Sequence, residues 1–194
     1  MLNMQPQTIV KLRQHSIPIL LGVVAIILAA IGDSATQVLR YEPDFSEFWR
    51  LLTGNFVHLG WSHLVLNVLG LALIWGLFWN TFEIPAWSVI TLISSLAVGG
   101  GLFWLNPEIV WYVGLSGLLH GLFVAGALGG IRRGDRREAI LLVAIIGKLL
   151  WEQAYGAMPG TADMAGGPVI VDAHLYGAIG GAIAALLLKP RMYC

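Results

Sequence analysis

Cysteine is nearly absent from this chain. The one thiol, Cys194, leaves no intramolecular disulfide to form and excludes a zinc site built on several thiolates. Charge is also scarce: 11% of residues are Asp, Glu, Lys or Arg, against about 25% in a soluble domain. Neither sign is in excess, with eleven basic and eleven acidic side chains. The basic surplus that nucleic-acid binding draws on is therefore missing. No cofactor and no metal site are expected. What the chain does have is apolar surface, at 57% of its 194 residues and a mean hydropathy of +0.77. Most of its exterior must face lipid. The length suits one domain over residues 1–194, and six helices of about 20 residues would use roughly 120 of them.

Apolar runs between polar breaks predict six spans: 16–35, 59–79, 86–105, 115–131, 139–155 and 169–188. The breaks differ in chemistry. Residues 36–50 mix charges with Phe45, Phe48 and Trp49 and read as an amphipathic segment in the outer interface. The densest charge is Arg132-Arg133-Gly134-Asp135-Arg136-Arg137. Residues 156–168 hold four glycines and two prolines, too many for a long helix. Cytoplasmic loops are enriched in Lys and Arg. With both termini inside, eight of the eleven cations (Lys11, Arg13, the four arginines after span four, Lys189 and Arg191) lie in the cytoplasm. Span one also has the look of a signal peptide, but retention is expected.

Polar side chains within spans are costly, and here they cluster. In this orientation spans two, four and six all enter from the outer side. Span two brings His63 and Asn67, with His58 just before it; span four brings Ser116; span six brings His174. His63 and Asn67, four apart, share a helical face. Gly177 and Gly181 lie on the His174 face, and Gly117 and Gly121 offer a matching flat patch on span four, so close packing would put an imidazole beside the Ser116 hydroxyl. This constellation reads as a serine activated by a neighbouring base, with His63, Asn67 and the Ser116 N–H donating to an oxyanion. Lys148 and Glu152, four apart in span five, read as a structural ion pair.

The ordered set Trp49-Arg50, His58, His63-x-x-x-Asn67, Gly114-Leu115-Ser116-Gly117 and Ala173-His174-x-x-Gly177-x-x-x-Gly181 resembles the rhomboid family of intramembrane serine proteases. The resemblance implies an all-α, polytopic six-helix bundle with Ser116 as nucleophile, His174 as general base, and His63 and Asn67 as oxyanion donors. It also implies a dyad that requires no carboxylate. Asp172 is left out, because two residues along a helix turns it about 200° from His174. His120, before Gly121, departs from the family's usual residue and is similar to the rhombosortase branch. That branch implies membrane-anchored bacterial substrates bearing a C-terminal tag: a Gly-Gly motif, a membrane helix and a basic tail. His120 shares the Ser116 face, where it either bonds a carbonyl or acts as an auxiliary to the dyad; His58 is a second candidate auxiliary.

Hydrolysis at this depth requires a wet cavity open to the outer side, with residues 156–168 as its cap. Helix-poor residues such as glycine at the cut ease the unwinding that exposes a scissile carbonyl. Alternative readings are a general rhomboid protease for other single-span substrates, an inactive relative that binds membrane helices, and a small transporter using Lys148 and Glu152. No internal repeat favours the last.

Overall fold

The computed structural model describes residues 14–192. Lys11, Arg13 and Cys194, on which part of the sequence argument rests, lie outside the described residues. Among the described residues nine α-helices follow one another: α1 (Ser16–Ile31), α2 (Asp33–Leu39), α3 (Arg50–Thr53), α4 (Trp61–Phe78), α5 (Ile84–Leu105), α6 (Ser116–Arg132), α7 (Arg137–Tyr155), α8 (Thr161–Ala165) and α9 (Val171–Leu187). Among the described residues no β-strand forms; a single antiparallel bridge joins Tyr41 to Tyr112.

Local chemistry explains the breaks. Pro85 opens α5, where its missing N–H costs nothing. Gly156 ends α7 with φ 83°, a conformation that glycine adopts without strain. The first expected span does not run straight to residue 35. At Gly32, also at positive φ, the chain turns through 115° into α2, so α1 is a shorter helix than the apolar run suggested. The five other expected spans coincide with α4, α5, α6, α7 and α9 to within two residues at each end. By length and apolarity α4 and α5 each suffice to cross a bilayer, and α1 with α2 reaches that length only if the pair, bent by 115°, is counted as one broken span. The 17-residue α9 is apolar but short. Glycine makes up much of α6, while α7 carries Arg137, Glu138, Lys148 and Glu152.

α9 lies against both α6 and α5, and glycine makes this closeness possible. A Cβ on Gly177 would collide with the carbonyl oxygen of Gly117, and one on Gly181 with that of Gly121. On the α5 side, a Cβ on Gly180 would come within 2.6 Å of the Ala97 methyl. The interior is otherwise aromatic and aliphatic: Trp75, Phe78, Phe82, Trp87 and Ile90 form one cluster with Leu115, Leu118 and Leu122 of the α6 region. Side chains on the outer faces remain apolar, as at Leu69 on α4 (62% exposed), Val143 on α7 (70%) and Leu186 on α9 (61%). A chain greasy both inside and out is an integral membrane protein, because water would penalise so much apolar exterior.

Cationic residues tie the far end of the bundle. Arg132 donates to the carbonyls of Ala185 and Leu188, Arg133 to that of Asn80 at 2.7 Å, and Arg191 pairs with Glu83 at 2.9 Å. At the opposite end Arg50, 8% exposed, donates to the carbonyls of Gln37 and Arg40 and pairs with Glu47, holding residues 37–50 as a folded unit. Phe48 and Trp49 project outward from that unit, consistent with its amphipathic reading.

Candidate active site

Four helix ends converge. The N-terminal turns of α4, α6 and α9 carry His63, Ser116 and His174, and the last turn of the oppositely directed α7 carries Glu152. A cavity of about 360 Å³ lies between them, lined by His63, Asn67, Ser116, His120, Lys148, Glu152 and His174. Thr161 and Ala165 of α8 and Pro168, Val169 and Ile170 beyond it also line the cavity, so part of the glycine-rich segment after α7 contributes to its wall.

Nε2 of His174 lies 3.0 Å from Oγ of Ser116. This is hydrogen-bond distance between a potential base and a potential nucleophile. Ser116 is the first residue of α6, where backbone N–H groups have no intrahelical acceptor and the helix end carries partial positive charge. The chain enters this turn through Gly114 at φ 123°. A Cβ there would come within 2.6 Å of the His63 ring, so glycine both allows the turn and makes room for the imidazole. Tyr112, which the sequence reading passed over, supports the same turn: its hydroxyl donates to the Gly114 carbonyl at 2.7 Å and accepts from the Gly117 N–H at 3.4 Å. Burial pushes its phenol up to about 12, so it keeps its proton and remains a donor.

His63 and Asn67 face the same cavity. One Asn67 amide hydrogen is donated to the His63 carbonyl at 3.0 Å, leaving the second without an intrahelical use. The Leu59 N–H points at Nδ1 of His63 at 3.5 Å, which places the imidazole hydrogen on Nε2. His58 is buried behind His63, edge-on at a ring separation of 5.1 Å, and is not part of the cavity wall. Burial pushes its imidazole down to about 3, so it is neutral.

Two expectations change. The Lys148–Glu152 ion pair is present, with Nζ 2.7 Å from Oε1, but it is not self-contained. The other carboxylate oxygen of Glu152 lies 2.9 Å from Nδ1 of His174. An imidazole expected to require no carboxylate therefore has one beside it, 2% exposed and supplied by a helix that the family motifs do not mark. The signal available in sequence was depth: Glu152 stands three residues before the end of α7, level with the other polar groups. His120 does more than bond a carbonyl. Its Nδ1 meets the Ser116 carbonyl oxygen at 2.7 Å, its Nε2 meets Lys148 Nζ at 2.9 Å, and its ring stacks on His174 at 4.1 Å. Asp172 points elsewhere, accepting from Asn106 at 3.2 Å.

His120, Glu152 and His174 are the one group among the described residues whose donor atoms lie close enough together to hold a metal ion. A cation already serves two of them, since the Lys148 ammonium contacts both Nε2 of His120 and Oε1 of Glu152. A metal ion would have to compete with it.

The family model for the Rhomboid domain matches residues 46–191. The Rhomboid-like protease 5 of Toxoplasma gondii is 31% identical over 162 residues, covering 80% of this chain and 18% of that protein. A helical membrane bundle with these polar groups gathered at one end defines the class, and the matches supply its name. The chain belongs to the rhomboid family. It spans under a fifth of the length of that relative.

Proposed function

We propose that this protein is an intramembrane serine endopeptidase, and that Ser116 and His174 cut a peptide bond in or near the membrane segment of an anchored substrate. The observation that carries this reading is the 3.0 Å approach of His174 Nε2 to Ser116 Oγ on the wall of a cavity. As Oγ attacks the scissile carbonyl carbon, its proton passes to Nε2. The carbonyl π pair becomes an oxyanion held by His63 Nε2–H, the free Asn67 amide hydrogen and the Ser116 N–H. Return of the proton to the leaving nitrogen releases the amine product and leaves an acyl-enzyme, which water then hydrolyses with His174 again as base.

The finer reading is a rhombosortase-like role at a bacterial cytoplasmic membrane, with both termini cytoplasmic and the cavity open to the outer side. Its substrates are surface or secreted proteins carrying a C-terminal Gly-Gly-type tag. His120 in place of an aliphatic or aromatic residue supports it, as does the low helix propensity of glycine, which lowers the cost of exposing the bond. Fluorophosphonate labelling of Ser116 in detergent tests the chemistry, and purified protein in liposomes with tagged and untagged single-span substrates tests the specificity. Cleavage of both substrates alike would reduce the reading to a general rhomboid protease. Failure of Ser116 to label would remove the protease reading itself.

A further inference from the structure

We infer that Glu152, clamped by Lys148, is the positioning carboxylate of a Ser116–His174–Glu152 triad. This rests on the protease reading and deepens it. Hydrogen-bond direction fixes the tautomer of His174. A carboxylate oxygen accepts and does not donate, so the hydrogen between Glu152 Oε2 and His174 Nδ1 belongs to the imidazole. The second nitrogen, Nε2, then presents a lone pair to the Ser116 hydroxyl. In the other tautomer Nε2 would carry the hydrogen and could not take the serine proton.

The neighbouring ring, His120, is held in one tautomer as well. The Ser116 carbonyl accepts from Nδ1 of His120, so Nε2 of His120 accepts from the Lys148 ammonium. Lys148 therefore donates both to Glu152 and to His120, and it fixes the carboxylate at one oxygen while His174 uses the other. A lone carboxylate at this depth would be expensive; the lysine one helical turn away on α7 offsets that cost. His120, neutral and stacked on His174, leaves a single positive charge on the ring pair when His174 becomes an imidazolium. That charge then faces the Glu152 carboxylate.

In the resting site Lys148 and Glu152 cancel, and both imidazoles are neutral. During attack the Ser116 O–H bond breaks, the proton joins Nε2, and the charges created are one imidazolium beside Glu152 and one oxyanion beside His63 and Asn67. No other reactant is needed.

The test combines three measurements on the full chain in micelles. Glu152→Gln keeps the side-chain size but offers an amide N–H to Nδ1, favouring the wrong tautomer. It is expected to slow fluorophosphonate labelling and substrate cleavage by about 10² to 10⁴-fold, with KM little changed and partial recovery in Glu152→Asp. The double variant Lys148→Met/Glu152→Gln removes the stranded ammonium; it should fold and remain as slow as the single variant. Nitrogen-15 histidine NMR of the wild-type protein should find His174 protonated at Nδ1, a signature that a merely structural Glu152 would not set. Wild-type labelling rates in folded Glu152→Gln, or an Nε2-protonated His174 in the resting wild type, would overturn the triad and leave the Ser116–His174 pair intact. Wild-type protein that does not label at Ser116 would overturn both readings.

Discussion

The carbonyl oxygen of Gly121 occupies the space that a Cβ on Gly181 would need. One turn nearer the cavity, Gly117 and Gly177 repeat the relationship. Two helices thus touch backbone to backbone, which sets the height of His174 against Ser116. Gly181→Val should separate them. Such overpacking costs about 1 to 3 kcal/mol and should lower the unfolding midpoint in detergent and abolish labelling of Ser116. Gly147→Ala on α7, where nothing lies within 4 Å of the added carbon, should leave the midpoint unchanged or raise it.

Ser116→Ala and His174→Ala should each remove proteolysis while the protein still extracts and elutes as the wild type does. Deleting one hydroxyl or one ring at the wall of a cavity leaves helix packing intact. Cleavage of a single-span reporter in liposomes, read beside size-exclusion profiles, checks this. Wild-type turnover by both variants would remove these residues from the chemistry.

Asn67→Ala should be slower than wild type by about 10² to 10³-fold, the usual cost of one oxyanion donor, and should remain faster than Ser116→Ala. His63 and the Ser116 N–H still serve the developing charge. The loss should fall on kcat, because the oxyanion exists only in the transition state.

Arg50→Gln should destabilise the protein by about 2 to 3 kcal/mol, because charge-assisted bonds to the Gln37 and Arg40 carbonyls and to Glu47 are lost together. Differential thermal scanning would register it. Proteolytic nicking within residues 37–50 should rise in parallel.

Acid should weaken the fold through His58. Its imidazole is pushed from 6.5 down to about 3 by burial. Between those values the unfolded chain binds a proton that the folded chain refuses, so stability is complete above pH 6.5 and falls as pH drops toward 3. The slope approaches about 1.4 kcal/mol per pH unit for one such group. His58→Phe keeps a ring beside His63 and should flatten that slope in unfolding midpoints measured from pH 7 to pH 4. An unchanged slope would show that other groups carry the acid sensitivity.

Legibility from sequence differed by kind of feature. Helix positions came from apolar runs and their breakers, and α4 to α7 and α9 lie where the runs lie. Gly32 was harder: a glycine in an apolar stretch reads as continuation, and only the backbone turn of 115° reveals the break. Ser116, His63, Asn67 and His174 stood out because polar groups in lipid are expensive and these four shared a depth. Tyr112 and Glu152 did not, for opposite reasons. Tyr112 sits in a loop where a tyrosine attracts no notice, and Glu152 had a ready partner in Lys148 that appeared to account for it.

Composition and local pattern alone determined that the chain lives in a bilayer, where α4 to α7 and α9 lie to within two residues, and which few polar residues demand explanation. These follow from hydropathy and backbone chemistry, which act over a handful of neighbouring residues. The rotation of α7 about its axis was decided only in three dimensions, and with it the direction in which Glu152 points. That rotation depends on contacts with α6 and α9, far away in the chain. A two-residue pair and a five-residue proton network were indistinguishable until those helices were packed together.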